Sequence, residues 1–270
     1  MSADSRTSWA AARIGGWSLI TAALGFMAVF GYLAARFDYP AILDGTAAEV
    51  LPRLLALGEA GRAVWAVYAL LPLLLVPAAI GARAALGDAV PNAMRAALVF
   101  ATIAAVSMLL GLARWPSVHW ELARVYATTT PDARGAIDAV FLGLNVYLGN
   151  YIGEFVGELA LNAFFVLVGF AWLRSTETRR WVGVGGIVVG AIGWASAFRN
   201  VTSVVEPVAE LNNYLLPAWL IVLGVALISR RPSFKESHLN APVRARIPRR
   251  AFRAVSDMGR TAPATGVSPR

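Results

Sequence analysis

Six long apolar runs fix what this chain can become. They cover residues 14–34, 63–86, 93–112, 154–173, 181–198 and 214–228. Each is close to the ~20 residues that a helix needs to cross about 30 Å of hydrocarbon. The rest of the chain agrees. It is 58% hydrophobic with a mean hydropathy of +0.61, and 15% of its residues are charged, against about 25% in soluble domains. The expected fold is all-α: a polytopic membrane bundle of six transmembrane helices, with short extracytoplasmic helices. It divides into a cytoplasmic N-terminus (1–13), the membrane domain (14–229) and a basic cytoplasmic tail (230–270). The first run exceeds the roughly 7–15 residues of a signal-peptide core, and Ala34-Ala35-Arg36 is a poor cleavage site. A retained signal-anchor is therefore expected.

Arginine placement predicts the orientation. With the N-terminus inside, seventeen Lys/Arg fall on the cytoplasmic side and seven on the other. Excess positive charge marks the cytoplasmic face, so both termini are expected inside a bacterial cytoplasmic membrane. Ten of the seventeen lie in the tail from Arg230 onward, and without them the count is even. The tail carries Arg244, Arg246, Arg249, Arg250 and Arg253 among Pro, Ser and Ala. Such a segment buries too little surface to fold alone and is expected to be disordered. Anionic lipid headgroups are its candidate partner, at about 1 kcal/mol per basic residue near the surface. The net charge of +8 thus needs no nucleic acid, and no recognition fold for one is visible.

The chain has no cysteine and two histidines, His119 and His238. That excludes disulfides, thiolate metal sites and cysteine nucleophiles. No cofactor or metal is called for. His119 reads as an interfacial polar residue, since no second histidine lies at ligand spacing. No Gly-rich phosphate loop, His-Glu-x-x-His or nucleophile elbow is present.

The fourth run carries the strongest functional lead. Asn150, Glu154, Glu158 and Asn162 recur every fourth residue, so on an α-helix they form one slowly drifting stripe. Gly149, Gly153 and Gly157 form a second stripe on the same helix. Carboxylates within a membrane segment are costly and face a bundle interior or a water-filled cavity. Counting from the inner boundary puts Glu154 near the outer surface, Glu158 about 6 Å deeper and Asn162 near the middle. The fifth run follows after a short arginine turn, so the two helices are expected to be antiparallel neighbours. Its own small-residue face includes Gly186 and Gly190, at the spacing that lets membrane helices approach closely. Its outer end carries Arg199, level with Glu154. Two readings follow. In one, Arg199 neutralises an acid and the cluster is structural. In the other, the acids with Asn150 and Asn162 line an outward-opening cavity for a cation, a proton or a polar headgroup. One arginine cannot neutralise two carboxylates, which tilts the count toward function.

The outer loops supply further expectations. Residues 46–57 should form a short helix with Asp44 or Thr46 at its cap. Ser117 should cap another, after Pro116. Thr130-Pro131-Asp132 reads as a helix start. The stretch 136–173 is too long for one crossing and too short for two, so its first half lies outside or bends near Gly149 or Gly153. Pro72 and Pro77 should kink the second span.

The acidic, glycine-rich fourth span and the arginine turn, Leu173-Arg174 followed by Arg179-Arg180-Trp181-Val182-Gly183, resemble an uncharacterised bacterial family of six-span integral membrane proteins, known only as a domain of unknown function. The likeness covers residues 10–230 and differs at Arg179 and Val182, where the family has proline and leucine. It implies the six-span layout and no activity. The function expected from the residues is a small-molecule or cation binding or transport protein. The alternatives are a membrane interaction protein that assembles with itself or a partner through its glycine faces and basic tail, and a lipid-modifying enzyme.

Overall fold

The computed structural model describes residues 3–176 and 179–230; the basic tail lies outside them. Among the described residues there is no strand. Ten α-helices are present: α1 (Ala3–Phe37), α2 (Ala47–Ala56), α3 (Gly58–Leu70), α4 (Leu75–Leu86), α5 (Pro91–Ala113), α6 (Trp120–Thr128), α7 (Arg134–Leu144), α8 (Gly157–Arg174), α9 (Arg180–Ala197) and α10 (Glu206–Ile228). Six helical stretches are long and apolar enough to cross a membrane: Arg6–Phe37, Gly58–Leu86, Pro91–Thr128, Pro131–Arg174, Arg180–Asn200 and Ser203–Ile228. The chain is a multi-pass membrane protein. Large apolar side chains such as Val67, Leu70, Val99, Ile103, Val188 and Val225 point outward, as a lipid-facing surface requires.

The spans form a closed ring in chain order. α1 packs on α4, α4 on α5, α5 on α8, α8 on α9, α9 on α10, and α10 returns to α1. Four of these seams close at paired glycines. A Cβ on Gly15 would stand 2.8 Å from the Cα of Gly81, one on Gly16 2.5 Å from the Gly224 carbonyl, one on Gly153 2.9 Å from the Cα of Gly111, and one on Gly169 2.6 Å from the Gly183 carbonyl. Lipid tails give helices no hydrophobic reason to associate, so close backbone contact is what holds them.

This corrects one expectation about the glycine stripes. They do not meet each other. Gly153 and Gly157 face α5, at Gly111 and Met108, and Gly149 faces Arg114. Gly186 and Gly190 do face α8, but at Phe165 and at the Asn162 carbonyl and Val166. The α8–α9 seam therefore sets glycines of α9 against the α8 backbone at Asn162, Phe165 and Gly169 and against the Val166 side chain, with Gly169–Gly183 at its inner end.

One end of the ring is capped. After α1 the chain turns at Asp38 (φ 57°), runs through α2 and re-enters at Gly58 (φ 64°); the left-handed conformation suits glycine there. Of the two expected caps, Asp44 and Thr46, it is Thr46 that caps α2, in a reciprocal box with Glu49. The region after the third span differs from expectation. No loop interrupts it: α5 continues through a π-helical turn, Trp115–His119, into α6. Ser117 donates to the Ala113 carbonyl within that turn and caps nothing. The fourth stretch likewise runs from α7 through a π-helical segment, Asn145–Val156, into α8. Gly149 and Gly153 mark this widened segment.

Candidate functional site

Glu154, Glu158 and Arg199 come together. The guanidinium donates twice to Glu158, from Nη1 to Oε2 at 2.7 Å and from Nη2 to Oε1 at 2.6 Å. Its Nη2 also donates to Glu154 Oε2 at 2.9 Å, which Asn200 Nδ2 reaches at 3.3 Å. Glu158 is the deeper acid, with 14% of its side chain exposed against 32% for Glu154. The antiparallel α8–α9 seam dictates this pairing: stepping from Gly169–Gly183 toward the capped end brings 158 opposite 199.

The two asparagines stay apart from this cluster. Asn162 is fully buried and donates back to the Glu158 carbonyl at 2.8 Å, with Gly193 of α9 packed against its side chain. Asn150 is half-buried and makes no side-chain hydrogen bond among the described residues. The stripe breaks because 145–156 is π-helical. Its i→i+5 turns take more residues each. A four-residue step then falls short of a full turn, where in an α-helix it overshoots one. The register that would align Asn150 with Glu154 is therefore lost. Glu206 and Glu210 are exposed and add nothing to the cluster.

Both acids and Arg199 line a cavity of about 210 Å³ inside the capped half of the ring. All six spans contribute to its wall, mostly with apolar and aromatic side chains that include Phe26, Trp65, Tyr68 and Trp115. Pro72 also lines it, within a 3₁₀ break (Leu71–Leu74) between α3 and α4. The second-span proline thus makes cavity wall. The ceiling is aromatic: Trp65 stacks on Trp115 with centroids 4.8 Å apart, and Phe37 meets Trp115 edge-on at 5.7 Å. His119 belongs to this ceiling, between Trp115 and Phe141 at 4.8 Å from each. It is wholly buried, with no partner on either ring nitrogen among the described residues. His119 is thus packed inside the protein, against Phe141 of α7, and not exposed at its surface.

A second arginine was missed by the sequence reading. Arg114 is 5% exposed and lines the same cavity. Its Nε and Nη2 donate to Asn145 Oδ1 at 3.2 and 3.1 Å, and its Nη1 donates to the Gly111 carbonyl. Asn145 in turn donates to the Leu43 carbonyl at 3.2 Å. The apparent excess of acid thus disappears: two arginines face two glutamates. The available signal was depth, since Arg114 closes the third span at the level where Arg199 closes the fifth. Four further polar groups line the wall. The buried Trp65 Nε1 and Asn212 Oδ1 have no partner among the described residues, and the Tyr39 hydroxyl lies 3.4 Å from that of Tyr68.

Among the described residues no group of three His, Cys, Asp or Glu is placed to hold a metal. No family model, curated protein or solved structure matches the chain.

Proposed function

We propose that this protein binds, and by its membrane setting transports or senses, a small molecule that has an apolar body and a polar head. The observation that carries this reading is the cavity. It is closed around by six spans, walled by aromatics, and supplied with converging charged and orphaned polar groups, the usual composition of a small-molecule site. Its volume is about 210 Å³, somewhat more than the roughly 150 Å³ that accommodates benzene. A simple cation is a poorer occupant than the fourth span alone suggests, because Arg199 already bonds both acids. Self-assembly through the glycine faces is also less favoured, since Gly153, Gly157, Gly186 and Gly190 are spent within the ring.

The capped end is assigned to the outer face of a bacterial cytoplasmic membrane, with both termini inside, on the arginine distribution. A reporter fused after Arg270 and active only in the cytoplasm supports this; external activity reverses it. The binding reading is tested by native mass spectrometry of purified protein and of Ala22→Phe, a variant that fills the cavity from α1. The wild type should release a small organic molecule, or be stabilised by small amphiphiles, and the filled variant should do neither while remaining folded. Equal behaviour of the two proteins overturns the proposal.

A further inference from the structure

The cavity holds its charges in two separate places. At one, Arg199 is shared by Glu154 and Glu158, so this cluster carries one negative charge in excess. At the other, Arg114 is buried with neutral acceptors alone. Among the described residues no carboxylate lies within the 4.0 Å of an ion pair. Its three hydrogen bonds are fewer than the donors of its planar fork. An uncompensated buried charge is among the most costly features a membrane interior can hold. Glu154 lines the same cavity as Arg114, and among the described residues the two form no ion pair. One oxygen of Glu154, Oε1, takes no hydrogen bond among the described residues, while Oε2 takes Arg199 and Asn200.

Resting on the cavity as a small-molecule site, we propose that its occupant is a zwitterion, with a carboxylate or phosphate on Arg114 and an ammonium facing Glu154. Charge bookkeeping selects this class. The four ionised side chains sum to zero, and a zwitterion leaves them at zero. A simple anion would leave one net negative charge in a low-dielectric space, and a simple cation one net positive. Each pole of the ligand compensates the pole it meets. Arg114 suits a carboxylate or phosphate, because a guanidinium binds such groups through paired N–H donors. The aromatic wall of Phe26, Trp65 and Tyr68 then takes an apolar body. Two sources share this chemistry: a free amino acid with an apolar side chain, and the head of a zwitterionic lipid.

Matched probes test this in purified full-length protein by calorimetry. L-phenylalanine carries both charges; 3-phenylpropionate lacks the ammonium, and phenethylamine lacks the carboxylate. Dihexanoyl phosphatidylethanolamine represents the lipid source. At least one of the two zwitterions should bind ten-fold or more tightly than both truncated probes, and whichever is preferred names the source. Glu154→Gln should weaken that zwitterion and leave 3-phenylpropionate unchanged. Asn145→Asp gives Arg114 an internal counter-ion while keeping its hydrogen bonds. It should weaken the zwitterion and 3-phenylpropionate but not phenethylamine. Arg114→Gln should do the same wherever it folds. Truncated probes that bind as well as the zwitterions overturn the charge assignment and leave the cavity standing as a binding site. Failure of all four probes, with Ala22→Phe indistinguishable from wild type, removes both.

Discussion

Replacing Arg199 by alanine should be the most damaging change at this site. The guanidinium makes hydrogen bonds of 2.6 and 2.7 Å to Glu158 and 2.9 Å to Glu154. Its loss strands two carboxylates, of which Glu158 is the more buried, at 14% exposed. Removing one partner of a buried pair costs about 3–5 kcal/mol. The 32% exposure of Glu154 moves the expectation toward the lower end, about 3 kcal/mol. Glu154→Gln keeps an oxygen for Arg199 and Asn200 and should cost about 1 kcal/mol. For a chain of this size each kcal/mol moves the melting temperature by about 2–4 °C. Arg199→Ala should then melt about 6–12 °C below wild type in detergent, and Glu154→Gln about 2–4 °C below. Adding Glu158→Gln to Arg199→Ala removes the deeper stranded charge and should recover part of the loss. If Arg199→Ala melts no lower than Glu154→Gln, the ion pairing is not what holds this corner together.

Three further outcomes are expected. Gly111→Leu and Gly153→Leu should each overpack the same α5 seam, at about 1–3 kcal/mol, whereas Gly143→Leu, which meets nothing within 4 Å, should melt near wild type; equal melting of all three denies the seam. His119→Phe should preserve or raise the melting temperature, because it removes two unpartnered buried nitrogens whose burial costs about 1–3 kcal/mol; loss of folding would reveal a partner for the imidazole. The Glu49 carboxyl should titrate below its ordinary 4.5, held down first by the Thr46 backbone N–H and then by the Thr46 hydroxyl. Its support of α2 is present above the ordinary value and is lost as pH falls through the depressed one, so a carboxyl shift titration with a midpoint at or above 4.5 contradicts the capping box.

The bundle was legible because its signals are long-range in sequence and simple in physics. A 20-residue apolar run has one stable form in hydrocarbon, and the α2 cap is written in four consecutive residues, Thr46 to Glu49. The partner of Arg199 was legible too, since depth along antiparallel helices needs only a rise per residue. Illegible features arose where the helix departs from that rise. Both π-helical segments, Trp115–His119 and Asn145–Val156, contain residues that local propensity would leave in an ordinary helix or a loop. One holds the buried His119, and the other breaks the α-helical register that would align Asn150 with Glu154.

The charge balance of the cavity was hidden for a different reason. Counting acids against bases along one helix pair gave two glutamates and one arginine, and the surplus acid pointed to a cation. Closing the ring brings a third helix to the same cavity, and with it Arg114. Ring closure itself depends on Gly15–Gly81 and Gly16–Gly224, at the opposite end of the first span from the site. What the cavity can bind is therefore set by contacts that touch no ligand. They bring α1 between α4 and α10, which places Ala22 and Phe26 on the wall of the cavity that Arg114 and Glu154 also line. Had α1 packed elsewhere, the cavity would lose the wall that Ala22 and Phe26 supply, and its charged groups would lie open on that side.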